Sequence, residues 1–258
     1  MGQSPTLSTT KSGYAPVNGL NLYYEIHGSG APLVLLHGGL ESTETMSKVT
    51  SALSKTHQVI AVDLQGHGRT ADIDRDIDLR YLASDMAGLL DHLGIGQADV
   101  LGFSLGGGVA LQLALDHPDR VGRIILASVS YASDGFHAEI SDPAQHASST
   151  RMPTAEDFQQ MRAAYARLAP DPGHFEAFAA KASQAAGSLK GWTAAELARI
   201  SAPALLIFGD HDFIRLEHAV EMHGLIPGAQ LAVLPGATHM GVIRRTDLIV
   251  PLVRDFLG

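Results

Sequence analysis

The chain has 258 residues, a net charge of −9, a 45% hydrophobic content and no cysteine. This length allows one large domain with a sizeable core, and the acidic balance provides no basic surface that would indicate a nucleic acid or an anionic membrane as partner. The absence of cysteine excludes disulfides, thiolate nucleophiles and Cys-ligated metal sites.

The N-terminus and the longest apolar runs bear on where the protein resides. Residues 1–13, MGQSPTLSTTKSG, are polar and contain no apolar segment, so we interpret them as a frayed tail and not as a secretory signal. The longest apolar runs, such as 32–36 and 202–208, are far too short to span a bilayer. The sequence therefore predicts a cytoplasmic protein that does not enter a membrane.

Short apolar runs predict the strands. An Asn18-Gly19 pair lies between two alternating segments, and it indicates a hairpin because Asn-Gly tolerates the positive φ angles of a tight turn. The runs that follow are PLVLLHG, HQVIAVDLQGHG, ADVLGFS, RVGRIILASV, APALLIFGD and QLAVLPGATH. Runs without polar alternation are typical of strands that helices cover on both faces.

Amphipathic segments between these runs predict helices. LRYLASDMAGLLDHLG repeats apolar residues at a spacing of three or four and ends at Gly94, which favours a helix stop. LGGGVALQLALDHP ends before Pro118, and TDLIVPLVRDFLG closes the chain. Strands that alternate with helices in this order predict an α/β fold with a mostly parallel sheet and right-handed crossovers.

The segment 131–190 interrupts the alternation. It contains no run typical of a strand, but it includes helix-like pieces such as AEDFQQMRAAYARLA. A structureless loop of this length would be unusual in a compact domain. We interpret 131–190 as a small helical cap inserted into a core formed by 1–130 and 191–258, and ordinary peripheral helices are the alternative.

The stretch Gly102-Phe103-Ser104-Leu105-Gly106 carries the first chemical signal. It follows a predicted strand and opens a predicted helix, which is the context that a nucleophile elbow requires. The helix would direct its free N–H groups and positive dipole end toward the serine. A phosphate-binding loop is the alternative, but the lysine of a P-loop and the spacing of a dinucleotide fold are both missing.

A serine hydroxyl needs a base to remove its proton, and the base needs a group that orients it. His239 follows the last predicted strand, so it should lie at the same edge of the parallel sheet as Ser104. Asp210 and Asp212 both follow the preceding strand and are candidates for the acid. No spacing among the histidines indicates a metal site, and no cofactor is implied.

Several motifs together resemble the α/β-hydrolase superfamily over nearly the whole chain. They are HGG at 37–39, DLQGHGRT at 63–70, GFSLGG at 102–107, GDHD at 209–212 and PGATH at 235–239. The second motif departs from the family pattern, since Gln65 stands where the family usually has arginine. The resemblance implies an eight-stranded, mostly parallel sheet with helices on both faces and a small helical cap.

The resemblance also assigns roles to residues. It selects Asp212 over Asp210 as the acid of the triad. It places the oxyanion hole on the backbone N–H groups of Leu105 and Gly39, with the neighbouring Leu40 as an alternative donor. Haloalkane dehalogenases and epoxide hydrolases are disfavoured, because those relatives carry aspartate at the position of the serine.

These observations predict a serine hydrolase of carboxylic esters or lactones. Ser104 would form an acyl-enzyme, His239 would act as general base, and Asp212 would orient the imidazole. The same triad could instead serve C–C bond hydrolysis, perhydrolysis or hydroxynitrile cleavage. A ligand receptor with vestigial hydrolysis is an alternative from another class of protein.

The substrate is expected to be a small molecule, and its identity is not readable from the sequence, nor is the oligomeric state. The candidate pocket residues are Leu40, Met46, Phe103, Tyr131, Phe136 and Met240. We expect Arg151 and Arg162, both in the cap segment, to be solvated. No arginine therefore demands an anionic substrate.

Overall fold

The computed structural model describes residues 11–188 and 190–258, and its strands form one eight-stranded sheet in the order β1-β2-β4-β3-β5-β6-β7-β8. The strands are β1 (Lys11–Val17), β2 (Leu20–His27), β3 (Pro32–Leu36), β4 (Gln58–Val62), β5 (Ala98–Phe103), β6 (Val121–Ala127), β7 (Ala204–His211) and β8 (Gln230–Thr238). Strands β1, β2 and β4 pair antiparallel, and the pairs from β4 through β8 are parallel. The predicted mostly parallel, eight-stranded sheet is confirmed.

The hairpin between β1 and β2 turns at Asn18-Gly19, as predicted, with φ angles of 49° and 84°. The prediction of a frayed tail is wrong for residues 11–13, because they pair with residues 24–26 of β2. Residues 1–10 lie outside the described residues. In the described ranges, no helix combines the length and the apolarity needed to cross a membrane.

Helices cover both faces of the sheet. They are α1 (Ser47–Leu53), α2 (Leu79–Leu93), α3 (Leu105–Asp116), α4 (Ala138–Ser141), α5 (Ala155–Leu168), α6 (Phe175–Ser188), α7 (Ala194–Leu197), α8 (Leu216–Leu225), α9 (His239–Arg244) and α10 (Thr246–Leu257). Alternate residues of β3 enter two separate buried clusters. Val34 and Leu36 pack on the side of α2 and α3, whereas Leu33 and Leu35 pack on the side of α1, α9 and α10. Burial on both faces explains why β3 reads as a continuous apolar run.

The expectation of burial on both faces is wrong for β8. This strand ends the sheet and pairs only with β7 among the described strands. Val233 is 42% exposed, and Pro235 and Gly236 are also exposed. An apolar run in the sequence does not report whether a strand lies inside the sheet or at its edge. The edge position of β8, and the exposure that goes with it, could therefore not be predicted from the composition of the strand.

The segment 131–190 contains α4, α5 and α6, and ionic contacts connect it to the core. Arg167 on α5 pairs with Glu44 at 2.7 Å, and Lys181 on α6 pairs with Asp72 at 2.9 Å. These helices contribute few side chains to the two buried clusters. We propose, as the sequence predicts, that this segment acts as a cap over one edge of the sheet.

Candidate active site

A sharp turn between β5 and α3 holds Ser104. The serine has φ 51° and ψ −114°, a backbone conformation that costs roughly 1–3 kcal/mol for a residue other than glycine. Glycines on both sides make the turn feasible. A Cβ on Gly102 would overlap the Gly106 carbonyl, and a Cβ on Gly106 would lie 2.5 Å from the Leu36 carbonyl oxygen. The GxSxG spacing therefore has a steric cause.

The structure brings the three predicted side chains into one hydrogen-bonded relay. Nε2 of His239 lies 3.0 Å from Oγ of Ser104, and Nδ1 lies 2.7 Å from Oδ1 of Asp212. His239 is the first residue of α9, directly after β8, and Asp212 follows β7. The carboxyl ends of three parallel strands thus meet at one edge of the sheet. This arrangement can move a proton from the hydroxyl to the imidazole.

Asp212 is fully buried and saturated with hydrogen-bond donors. Oδ2 accepts from Oγ of Ser128 at 2.5 Å and from the Gly209 N–H at 3.3 Å, and Oδ1 accepts from the Phe213 N–H at 2.7 Å. Burial acts to raise the pKa of this carboxyl, but the His239 imidazole and these donors hold the pKa below its usual range. The carboxylate is therefore ionised where it meets His239.

Asp210, the other candidate acid, has a different position. It accepts a hydrogen bond from the Ala237 N–H at 3.1 Å and contacts His211 at 2.9 Å. Its side chain is 35% exposed. Asp210 therefore braces the end of β8 just before His239, and Asp212 is the carboxylate in contact with the imidazole.

The turn that follows β3 is hydrogen-bonded to the helix that starts after Ser104. Residues 38–41 form a turn in which the Glu41 N–H donates to the Gly38 carbonyl at 3.4 Å, and Leu40 has a φ of 60°. The Gly106 N–H donates to the His37 carbonyl at 3.0 Å, which fastens this turn to the start of α3.

The N–H groups predicted for the oxyanion hole remain available in this arrangement. Leu105 is the first residue of α3, so its N–H has no partner within the helix. The N–H groups of Gly39 and Leu40 donate to no protein acceptor in the described part of the chain. We propose that the Leu105 N–H, together with that of Gly39 or Leu40, binds the oxyanion.

Three of the predicted pocket residues belong to the buried cluster that also contains Leu33 and Leu35 of β3. Met46, Phe103 and Met240 are each at most 6% exposed and pack with α1, α9 and α10. The Phe103 ring lies 4.9 Å from the His239 ring. These three side chains are therefore part of the buried core beside the relay. Leu40 is only partly buried, so its side chain is available to line a substrate pocket.

The other two predicted pocket residues lie near the loop after β7. Phe136 forms a bridge with Ile214, and it is partly buried. Tyr131 is buried and stacks on His218 of α8 at 4.1 Å between ring centroids. The structure thus commits the Tyr131 ring to α8.

Sequence reasoning missed Phe213. Its ring stacks on the His239 ring with a centroid distance of 3.9 Å and an interplanar angle of 7°. The side chain is partly buried, so one face covers the imidazole and the rest can meet a substrate. Its place directly after Asp212, at a strand end, is the signal that could have identified it.

The expectation that Arg151 is solvated is wrong. The side chain is 22% exposed, and its guanidinium donates to the Asp212 carbonyl at 2.9 Å and pairs with Glu139 at 3.4 Å. Arg162 is 60% exposed, as expected, and pairs with Glu176. Arg151 therefore connects the segment 131–190 to the loop that carries Asp212.

Gln65 interacts with an arginine that the motif does not predict. The Arg75 Nε donates to the Gln65 Oε1 at 2.8 Å, and Arg75 also pairs with buried Asp85 at 2.6 Å. Arg75 thus places a guanidinium beside the position where the family usually has arginine. The charge of this guanidinium is compensated by Asp85, so Arg75 supplies hydrogen bonds to Gln65 and no free positive charge.

Replacing Gly106 by alanine should destabilise the fold. The new methyl group would lie 2.5 Å from the backbone oxygen of Leu36 and 2.6 Å from that of His37. These backbone oxygens cannot move aside unless β3 shifts. We expect a loss of about 3 kcal/mol, or a fall in Tm of roughly 6–12 °C, measured by calorimetry. Gly187→Ala on α6 is the matched control, because nothing lies within 4 Å of its Cβ position. Equal Tm values for the two variants would contradict this account.

Comparisons with known proteins agree with the fold. A sequence model of the family described as alpha/beta hydrolase fold matches residues 31–246. A 2-hydroxymuconate semialdehyde hydrolase of Pseudomonas sp. is 32% identical over 90% of this chain and 88% of its own length. A soluble epoxide hydrolase of Corynebacterium sp. is 39% identical over 43% of this chain and 39% of its own length. The crystal structure of an enol-lactonase from Burkholderia xenovorans superposes with a TM-score of 0.75 at 27% identity, over 95% of this chain and 99% of its own. The chain belongs to the alpha/beta hydrolase fold family.

Proposed function

We propose that the protein hydrolyses carboxylic esters or lactones through an acyl-enzyme on Ser104. The hydrogen-bonded relay from Ser104 through His239 to Asp212 is the observation that carries this proposal. A serine held in a strained turn, with an imidazole at its hydroxyl and a buried carboxylate behind the imidazole, is the arrangement that acyl transfer uses.

The reaction follows from the positions of these groups. His239 Nε2 takes the hydroxyl proton as Ser104 Oγ attacks the acyl carbon, and the oxyanion meets the backbone N–H groups beside the turn. His239 then returns the proton to the leaving alkoxide. Water repeats the sequence on the acyl-enzyme, and the carboxylic acid leaves.

A neutral substrate fits the charges around the site. Arg151 is the cation that contacts the Asp212 loop, and its guanidinium is already engaged by Glu139 and a backbone carbonyl. The exposed parts of Leu40, Phe136 and Phe213 offer apolar surface. The likeness to an enol-lactonase supports a lactone as well as an open ester.

C–C bond hydrolysis is the second candidate. The 32% identity to a 2-hydroxymuconate semialdehyde hydrolase, over nearly the full length of both proteins, favours it. This reaction needs a proton donor for a carbon leaving group in addition to the relay. It also needs a partner for the carboxylate of such a substrate, and the paired state of Arg151 argues against one at this loop.

A turnover comparison distinguishes these candidates. The purified protein is assayed with p-nitrophenyl esters of increasing chain length, with a lactone series and with 2-hydroxymuconate semialdehyde. We expect multiple turnovers of an ester or a lactone at a higher kcat/KM than for the C–C substrate. Labelling by a fluorophosphonate probe without turnover of any of these substrates would instead favour a receptor, and the opposite order of kcat/KM would favour C–C hydrolysis.

A further inference from the structure

Glu41 is a buried carboxyl group beside the proposed oxyanion hole. The residue is 5% exposed, and it closes the turn that starts at Gly38. Oε2 accepts a hydrogen bond from the Gly38 N–H at 2.9 Å. Oε1 is buried and has no hydrogen-bond partner among the described residues. An ionised carboxylate in this position would leave half of its charge without a donor.

The carboxyl lies close to the nucleophile turn. A methyl group built on Gly38 would lie 2.9 Å from both the Glu41 carboxyl and the Phe103 ring, so these two groups share one side of Gly38. Phe103 directly precedes Ser104. A negative charge on Glu41 would thus stand near the place where the oxyanion develops, and like charges repel strongly in a site with little water.

The charged groups that act on Glu41 do not neutralise it. They are Arg244 on α9 and Asp157 on α5. These two residues pair with each other at 2.6 Å, so the guanidinium is already compensated by a carboxylate. A buried acid without its own counter-ion takes up a proton more readily than an exposed one.

We propose that Glu41 is a positioning residue of the hydrolytic reaction and that it works in its neutral form. It anchors Gly38, so that the 38–41 turn presents the N–H groups of Gly39 and Leu40, and it places no charge beside the oxyanion. This inference rests on the proposed serine hydrolase function. Burial raises the pKa of the Glu41 carboxyl to about 7, which is consistent with a proton that is lost near neutral pH.

The pH dependence of kcat/KM for an activated ester tests the proposal. In the wild type the rate should fall as Glu41 ionises, by up to about tenfold per pH unit on the alkaline side. Glu41→Gln keeps an oxygen acceptor for the Gly38 N–H but cannot ionise, so its profile should reach a plateau. Glu156→Gln, an exposed change on α5, is the matched control and should retain the descending limb.

A second variant tests the anchoring role. Glu41→Ala removes the acceptor for the Gly38 N–H, and we expect kcat to fall about tenfold or more while KM changes less than threefold. Glu41→Gln should rescue most of this loss below pH 6. A structural role alone would not produce both the rescue and the altered pH profile. If Glu41→Ala does not fold, Glu41→Gln decides the question alone.

Stability gives a readout that is independent of turnover. The pKa of about 7 in the folded chain lies above the ordinary value of 4.5, so the folded state binds an extra proton between these two pH values. Wild-type stability is therefore lost as pH rises through this window, and Glu41→Gln avoids the loss. The Tm difference between the variant and the wild type should grow by about 5 °C from pH 4.5 to pH 7 and level off at about pH 8.

The outcomes separate this inference from the proposed function. If the wild type reacts with a fluorophosphonate but Glu41→Gln keeps the wild-type descending limb, or Glu41→Ala keeps the wild-type kcat, the role of Glu41 is refuted and the hydrolase stands. If the wild type reacts with the fluorophosphonate but turns over no ester, the rates at which the same variants react with this probe replace kcat/KM in the comparison across pH. A wild type that does not label at all refutes both proposals.

Discussion

Replacing Ser104 by alanine should lower kcat/KM for an activated ester by about 10⁵–10⁶-fold, because the acyl-enzyme can no longer form. The change removes one oxygen from a partly buried site and leaves His239 and Asp212 in place, so the Tm should stay close to the wild-type value. The measurement is p-nitrophenyl ester hydrolysis, with fluorophosphonate labelling followed by mass spectrometry. The wild-type adduct should map to Ser104.

The control for this prediction is Ser183→Ala, an exposed serine on α6. It makes the same chemical change far from the relay and should keep wild-type turnover and labelling. If Ser104→Ala retained more than a hundredth of wild-type activity, another nucleophile would have to be responsible. A fluorophosphonate adduct on a different serine would identify it.

The relay could be predicted from the sequence because its parts have backbone signatures. Ser104 lies between two glycines at a junction of strand and helix, and the steric demand of the turn requires those glycines. Asp212 and His239 each follow a predicted strand, and parallel strands bring their carboxyl ends to one edge. The choice of Asp212 over Asp210 needed the family pattern, because both residues lie past the same strand.

Contacts made by long side chains could not be predicted in this way. Arg151 reaches the Asp212 carbonyl only because the segment 131–190 lies against the loop after β7. Glu41 is unusual through its burial and through an oxygen that has no hydrogen-bond partner in the described part of the chain, and neither property has a sequence period. The stacking of Phe213 on His239 likewise depends on how one loop turns. Such features emerge from tertiary packing and not from local patterns.

Replacing Asp212 by asparagine should lower kcat by about 10⁴-fold with little change in KM. The carboxylate accepts from Nδ1 of His239, and this bond keeps the hydrogen on Nδ1 and leaves Nε2 free to accept the Ser104 proton. Ser128 and Gly209 donate to Oδ2 of this side chain, so an amide would turn its oxygen toward these two donors and its NH₂ toward the imidazole. The Phe213 N–H, which donates to Oδ1, would then lose its acceptor. Nε2 would then carry the hydrogen and could no longer act as a base.

The comparison with Asp210→Asn makes this prediction specific to one carboxylate. Asparagine at position 210 keeps an oxygen acceptor for the Ala237 N–H, so the end of β8 before His239 retains its brace. We expect this variant to stay within about tenfold of wild-type kcat, since Asp210 does not contact the imidazole. The reverse order of effects would make Asp210 the acid of the relay. The steady-state kinetics of the two asparagine variants, measured with the same ester, therefore decide which of the two strand-end carboxylates sets the tautomer of His239.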